Sequence, residues 1–234
     1  MRRARPRNPA THSPCSSASA SKPRCVARIE EFAQTASSRS RARLRMKLPA
    51  IIFFLLCSLP STPAHAQELT LPDCDSKPHA PLDSGGKAAV VLFFVSPFCP
   101  TTKSFMAEIN QISGDHAEKA RFFLIHSDPA VTPEVAFQHA EMSGVRMTVL
   151  LDTEQKLARH AGARVTPETV VFSPQGAVLY RGRVNDLYLG PTKRQRAATT
   201  RDLRDALEAV FAGRPVPEPQ HEAQGCKISG IPQP

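Results

Sequence analysis

Residues 88–103 read AAVVLFFVSPFCPTTK, and this stretch decides the fold. Positions 88–95 are an unbroken apolar run rich in β-branched and aromatic residues. A strand that is apolar on both faces belongs in the middle of a sheet covered by helices above and below. Ser96-Pro97 ends the run. Pro100 lacks an amide donor and suits the first turn of a helix, and Phe105, Ile109 and Ile112 recur at helical spacing before Gly114. The spacing therefore predicts a helix over 100–113. Cys99 stands at the junction of strand and helix. A helix start presents free N–H groups and partial positive charge, which favour a thiolate and lower a cysteine pKa. The thiolate is the nucleophile, so Cys99 is the candidate reactive residue. The alternative is an inert cysteine packed in the core.

Working outward, residues 121–126 (RFFLIH) read as a second strand. Thr132-Pro133-Glu134 supplies an N-cap, a proline at the first helical position and an early acid, opening a helix to about Ser143. Residues 147–151 read as a short strand and 153–161 as a short helix. Two strands at 169–173 and 177–182 flank Pro174-Gln175-Gly176, a hairpin signal. A last helix over 199–212 places Leu203, Leu207, Val210 and Phe211 on one face and stops at Gly213. Strands alternating with helices, then a hairpin, predict a mixed sheet with helices on both faces. Residues 214–234 form a Pro-rich tail, read as extended.

Upstream, residues 1–45 are rich in Arg and Ser, nearly free of large apolar residues and without periodicity. They read as a disordered extension. Met46-Lys47, the apolar run from Ile51 to Leu59 and the small-residue site Ala64-His65-Ala66 form the three-part pattern of a secretory signal peptide, 46–66, cleaved before Gln67. Such a leader begins near its own initiator, so Met46 is the expected start and residues 1–45 an extension that need not be translated. The apolar run is shorter than the roughly 20 residues a bilayer span requires, so no stable membrane span is expected.

This division changes the meaning of the charge. The chain is formally +9, but residues 1–66 hold 12 Lys+Arg against 2 Asp+Glu, leaving 18 against 19 in residues 67–234. The basicity belongs to the leader, and nucleic acid is excluded as a partner of the remainder. Of six cysteines, Cys74, Cys99 and Cys226 follow the leader. Export to the periplasm or the extracellular space would place them where disulfides persist. Three is odd, so one internal pair at most can form and one thiol is left over.

Together with Thr166-Pro167 ahead of the hairpin, these features resemble the thioredoxin superfamily over roughly residues 85–212. The resemblance puts Cys99 on the first cysteine of the C-x-x-C motif, Thr102 on the second, and Thr166-Pro167 on the cis-proline that faces the site. The strand and helix at 147–161 are similar to those of the AhpC/TSA, or redoxin, branch. Within it, Cys99-Pro100, Thr166-Pro167-Glu168, Tyr180-Arg181-Gly182-Arg183 and Gly225-Cys226-Lys227-Ile228 resemble exported redoxin-domain proteins with the same four motifs. The resemblance implies an α/β, thioredoxin-like fold over 67–213: a central mixed sheet, helices on both faces and a late β-hairpin.

It also implies thiol chemistry without a cofactor, acting on protein thiols and disulfides or on small hydroperoxides. Thr102 in place of a second cysteine means that Cys99 cannot close a disulfide within its own motif. The segment FCPTT is similar to the VCPTE of peroxiredoxins, with Ser96 supplying a hydroxyl three residues ahead. Leu92 stands where their motif has proline, and Pro167 where they carry the arginine that polarises peroxide; Arg164 is near. A resolving thiol must come from Cys226 on the tail or from Cys74. Alternatively a Cys74–Cys226 clip pins the tail and leaves Cys99 free, and both pairings remain open. Two non-enzymatic readings stand beside these. One is copper binding, for which thiolates are suited and His126 is the candidate histidine, although no metal-ligand set is expected. The other is a redox-inactive interaction module. The oligomeric state is left open.

Overall fold

The computed structural model describes residues 69–233. The extension and signal peptide read into residues 1–66 lie outside the described residues. The elements, in chain order, are β1 (Leu71–Pro72), β2 (Pro78–His79), β3 (Ala89–Val95), α1 (Pro100–Asp115), β4 (Ala120–His126), α2 (Pro133–Met142), β5 (Thr148–Leu151), α3 (Lys156–Ala161), β6 (Val165–Thr166), β7 (Glu168–Phe172), β8 (Val178–Gly182), α4 (Asp202–Phe211) and β9 (Cys226–Lys227).

The central sheet runs β5-β4-β3-β7-β8. Strands β3, β4 and β5 are parallel, and β7 and β8 are antiparallel additions, so the sheet is mixed. All seven residues of β3 are buried, as its apolar run requires. Val91, Phe93 and Val95 pack with side chains of α1, α2 and α4 on one face; Val90, Leu92 and Phe94 pack with α3 on the other. The hairpin closes with the Ser173 amide on the Ala177 carbonyl at 2.8 Å. This is the expected thioredoxin-like fold, with helices on both faces and a late hairpin. Among the described residues no helix is long and apolar enough to cross a membrane.

Element ends depart from the expected ones for identifiable reasons. The helix expected over 153–161 starts only at Lys156, because the buried Asp152 carboxylate accepts from the Leu157 and Ala158 amides at 3.1 and 2.8 Å and caps it there. The last helix begins at Asp202 rather than near Thr199, because Asp186 holds the Thr199 and Thr200 amides in a preceding loop.

The C-terminal tail is extended and docked. The Arg181 amide donates to the Pro219 carbonyl at 2.9 Å and the His221 amide to the Arg181 carbonyl at 3.1 Å. Further on, β9 pairs antiparallel with β6, setting Cys226 opposite Thr166. Ile228 is buried in the core on the α3 side. This docking brings the end of the chain to the start of α1.

Candidate redox site

Cys99 is the N-cap residue of α1, with extended backbone (φ −95°, ψ 114°) and Pro100 behind it. Its amide donates to the Ser96 carbonyl at 3.2 Å, while the Ser96 hydroxyl accepts from the Phe98 amide at 3.2 Å. The Thr102 hydroxyl, fully buried one turn into the helix, accepts from the Ser96 amide at 3.4 Å. Ser96 and Thr102 therefore hold the turn that aims Cys99. The cysteine itself is 3 % exposed.

Across the cleft lies β6. The Thr166–Pro167 peptide is cis, and the Thr166 carbonyl oxygen accepts a hydrogen bond from the Cys99 thiol at 3.0 Å. Because β9 is paired to β6, Cys226 sits beside Cys99. Both thiols are free and line the same cleft. Cys74 is not brought to this place: it follows β1 and packs against the core on the α1 side. The Arg164 side chain lines a different cleft, with Glu168, Arg181 and His221, on the far side of β6.

Burial is the largest single influence on Cys99 and works against a charge. It is outweighed by donors: the Cys226 thiol, the Thr102 amide, the Thr166 side chain and the Cys226 amide all favour the thiolate. The Thr102 amide does so without forming a full capping hydrogen bond. The Thr166 carbonyl accepts from the thiol. The donors hold the Cys99 thiol below its ordinary value. Cys226 moves the opposite way, pushed up to about 11 first by burial and then by the adjacent Cys99 sulfur. Of the two thiols, Cys99 is therefore the one that ionises first.

The cleft over this pair holds about 200 Å³ and is lined by Ser96, Phe98, Ser127, Asp128, Lys227 and Ser229 beside the two cysteines. Phe98, one residue before Cys99, is 60 % exposed. Gln155, in the left-handed region (φ 60°), donates from Nε2 to the carbonyls of Ser127 and Ser229, and so ties the tail to the loop after β4. Glu168, 7 % exposed, accepts from the Arg164 amide at 2.7 Å and the Val165 amide at 3.3 Å. Burial pushes its carboxyl up, against those amides and the charges of Arg181 and Arg164. Gln155 carries no signal in the sequence, and Glu168 stands out there only within the Thr166-Pro167-Glu168 motif.

His126 ends β4 on the α2 side, fully buried, with both ring nitrogens lacking a partner among the described residues. Its ring meets that of His139 edge-on at 5.2 Å. Burial, and then the neighbouring His139, lower its pKa to about 3. It does not line the cysteine cleft. Among the described residues no three His, Cys, Asp or Glu side chains are grouped to hold a metal ion.

No curated protein matches the sequence. Among solved structures, an uncharacterized conserved protein of Geobacillus kaustophilus is 29 % identical, with a TM-score of 0.61 over 71 % of this chain and 90 % of that one. A hypothetical protein of Sinorhizobium meliloti 1021 is 24 % identical, also with a TM-score of 0.61, over 70 % of this chain and 92 % of that one. Both share the fold. The family model described as the AhpC/TSA family matches residues 63–181. That span takes in β3, Cys99, the cis-proline and most of the hairpin that carry the site, and the chain belongs to the AhpC/TSA family.

Proposed function

We propose that the protein is an exported, thiol-dependent redox protein in which Cys99 attacks and Cys226 resolves. The observation that carries this reading is the shared cleft of the two cysteines: Cys99 Sγ lies 3.0 Å from the Thr166 carbonyl, and Thr166 is paired with Cys226 across β6 and β9. The thiolate is the attacking form, so a thiol whose pKa is lowered attacks first, and a second thiol on the same cleft serves to resolve it.

The 200 Å³ cleft and the buried sulfur suit a small oxidant, in keeping with hydroperoxide reduction. The Cys99 thiolate attacks one peroxide oxygen and breaks the O–O bond, leaving a sulfenic acid and an alkoxide or hydroxide that takes up a proton. The Cys226 sulfur then attacks the Cys99 sulfur and expels water, giving the Cys99–Cys226 disulfide. An external dithiol returns the pair to the reduced state. A second reading, disulfide exchange with a protein, is favoured by the exposed Phe98 ring beside the cleft. In that case the Cys99 thiolate attacks one sulfur of a partner disulfide and expels the other as a thiolate. Cys226 then attacks the Cys99 sulfur of the mixed disulfide, expels the second partner thiolate and closes the Cys99–Cys226 bond, so the partner is reduced as the pair is oxidised. The signal-peptide pattern of residues 46–66 supports export.

A stoichiometric hydroperoxide pulse on the reduced protein, followed by disulfide mapping, tests the reading. The expected product is a Cys99–Cys226 bond formed within seconds, and a Cys226→Ser protein stops at the sulfenic acid. A bond to Cys74, or no Cys99–Cys226 bond with either a hydroperoxide or a protein disulfide, overturns it. Formation of the bond with a protein disulfide but not with peroxide selects disulfide exchange.

A further inference from the structure

Both thiols of the pair are positioned by β6, a strand of two residues. The Thr166 carbonyl lies 3.0 Å from the Cys99 sulfur, and the Thr166 hydroxyl donates to the Cys226 carbonyl at 3.4 Å. So short a strand cannot hold its own place, because one antiparallel neighbour satisfies only part of its backbone. The amides entering it, those of Arg164 and Val165, need acceptors. Glu168 folds back across the Thr166–Pro167 peptide and accepts both with a single carboxylate oxygen, Oε2. From the other side, the Arg164 carbonyl accepts from the Ile228 amide at 2.8 Å. The Arg164 backbone is thus fixed at both ends, by Glu168 and by the segment that carries Cys226. Glu168 itself is anchored, since it opens β7 and pairs with Phe94 on the central strand β3.

We propose that Glu168 is the positioning residue of the dithiol site: its carboxylate oxygen, by holding the Arg164 and Val165 amides, sets β6 and with it the distance between Cys99 and Cys226. The inference rests on the reading of those two cysteines as the redox pair. It assigns to a buried acid, facing Arg164 and Arg181, a role in the reaction although it touches neither sulfur. What matters is an acceptor at the right reach. Charge at that place is secondary.

Two substitutions separate reach from charge. Glu168→Gln keeps the length and a carbonyl acceptor but loses the charge. Glu168→Asp keeps the charge but is shorter by one methylene. The full-length proteins are equilibrated with glutathione buffers, and the equilibrium constant for the Cys99–Cys226 disulfide is read together with the pH midpoint of Cys99 alkylation. The wild-type chain comes first: if it forms no Cys99–Cys226 disulfide, the dithiol reading has failed before Glu168 is tested. If it does, Glu168→Asp is expected to weaken the disulfide about tenfold, the order of one lost buried hydrogen bond, and to raise the alkylation midpoint. Glu168→Gln is expected to stay within about threefold. A wild-type constant in Glu168→Asp, or a loss in Glu168→Gln as large as that in Glu168→Asp, overturns the proposal. Should Glu168→Asp not fold, the Gln protein alone decides, because a tenfold loss there contradicts a role based on the acceptor.

Discussion

Cys99 and Cys226 are chemically the same group, and only their surroundings make one an acid and the other a donor. Cys99 gathers amides from a helix start and a neighbouring thiol; Cys226 lies on an edge strand with a sulfur as its main polar neighbour. After the opposing effect of burial, the neighbouring Cys226 thiol is the largest influence on Cys99 and favours its thiolate. Cys226→Ala is therefore expected to raise the pH midpoint of Cys99 alkylation, measured by mass spectrometry on a pH series. A midpoint unchanged or lowered would show that α1 alone activates Cys99. The sign for stability follows from linkage. Lowered in the fold, Cys99 contributes stability that is present above its unfolded value and lost as pH falls through the folded one. Cys226, raised, contributes below its unfolded value and loses it as pH rises towards about 11. Of these residue-scale facts, the placement of Cys99 on a helix start was legible in FCPTT, since proline after cysteine marks the first turn. The role of Cys226 was not, because it lies 127 positions along the chain from Cys99 and only pairing in space brings the two together.

At the scale of elements, the site is a contact between a helix start and two very short strands. Gly225 shows how tight this contact is. A Cβ there would lie 2.0 Å from the Thr166 carbonyl oxygen and 2.7 Å from its carbon, both backbone atoms that cannot turn aside. Gly225→Ala must push β9 off β6. We expect a loss of about 1–3 kcal/mol in chemical denaturation, the range for overpacking, with slower closure of the Cys99–Cys226 disulfide after oxidation. Wild-type stability and closure rate in that protein would mean that β9 is not held against β6 in solution. The longer elements were readable from pattern: β3 from its unbroken apolar run, and α2 from its Thr132-Pro133 start, where the Thr132 hydroxyl accepts from the Val135 amide at 3.4 Å. Strands β6 and β9 were not, because two residues carry no periodicity.

The whole molecule encloses a group that resists protonation. His126 is fully buried with no hydrogen-bond partner among the described residues, and its pKa falls to about 3. Above pH ~6.5 neither the folded nor the unfolded chain protonates it. As pH falls below that value the unfolded chain takes up a proton that the folded chain refuses, so stability declines by at most about 1.4 kcal/mol per pH unit from this residue. His126→Leu is expected to flatten the fall in melting temperature between pH 6.5 and 4.5. It should also raise stability at pH 7, where an unpaired polar group is replaced by an apolar one. A pH dependence as steep as that of the unaltered protein would place the acid sensitivity elsewhere, with His139 next because burial lowers its pKa as well.

Local chemistry needs no partner from a distance, which is why the sequence by itself determined the strand-helix junction at Cys99, the hairpin and the mixed sheet with helices on both faces. Apolar runs, proline positions and turn residues act on their immediate neighbours. The tertiary structure alone decided which cysteine meets Cys99. The choice between Cys226 and Cys74 depends on where a Pro-rich tail docks, and that is settled by Ile228 entering the core, by the Arg164 and Thr166 backbone left open at β6, and by Gln155 and Glu168 holding the surrounding loops. Each of these contacts joins residues far apart in the chain, and a linear pattern records no such distance.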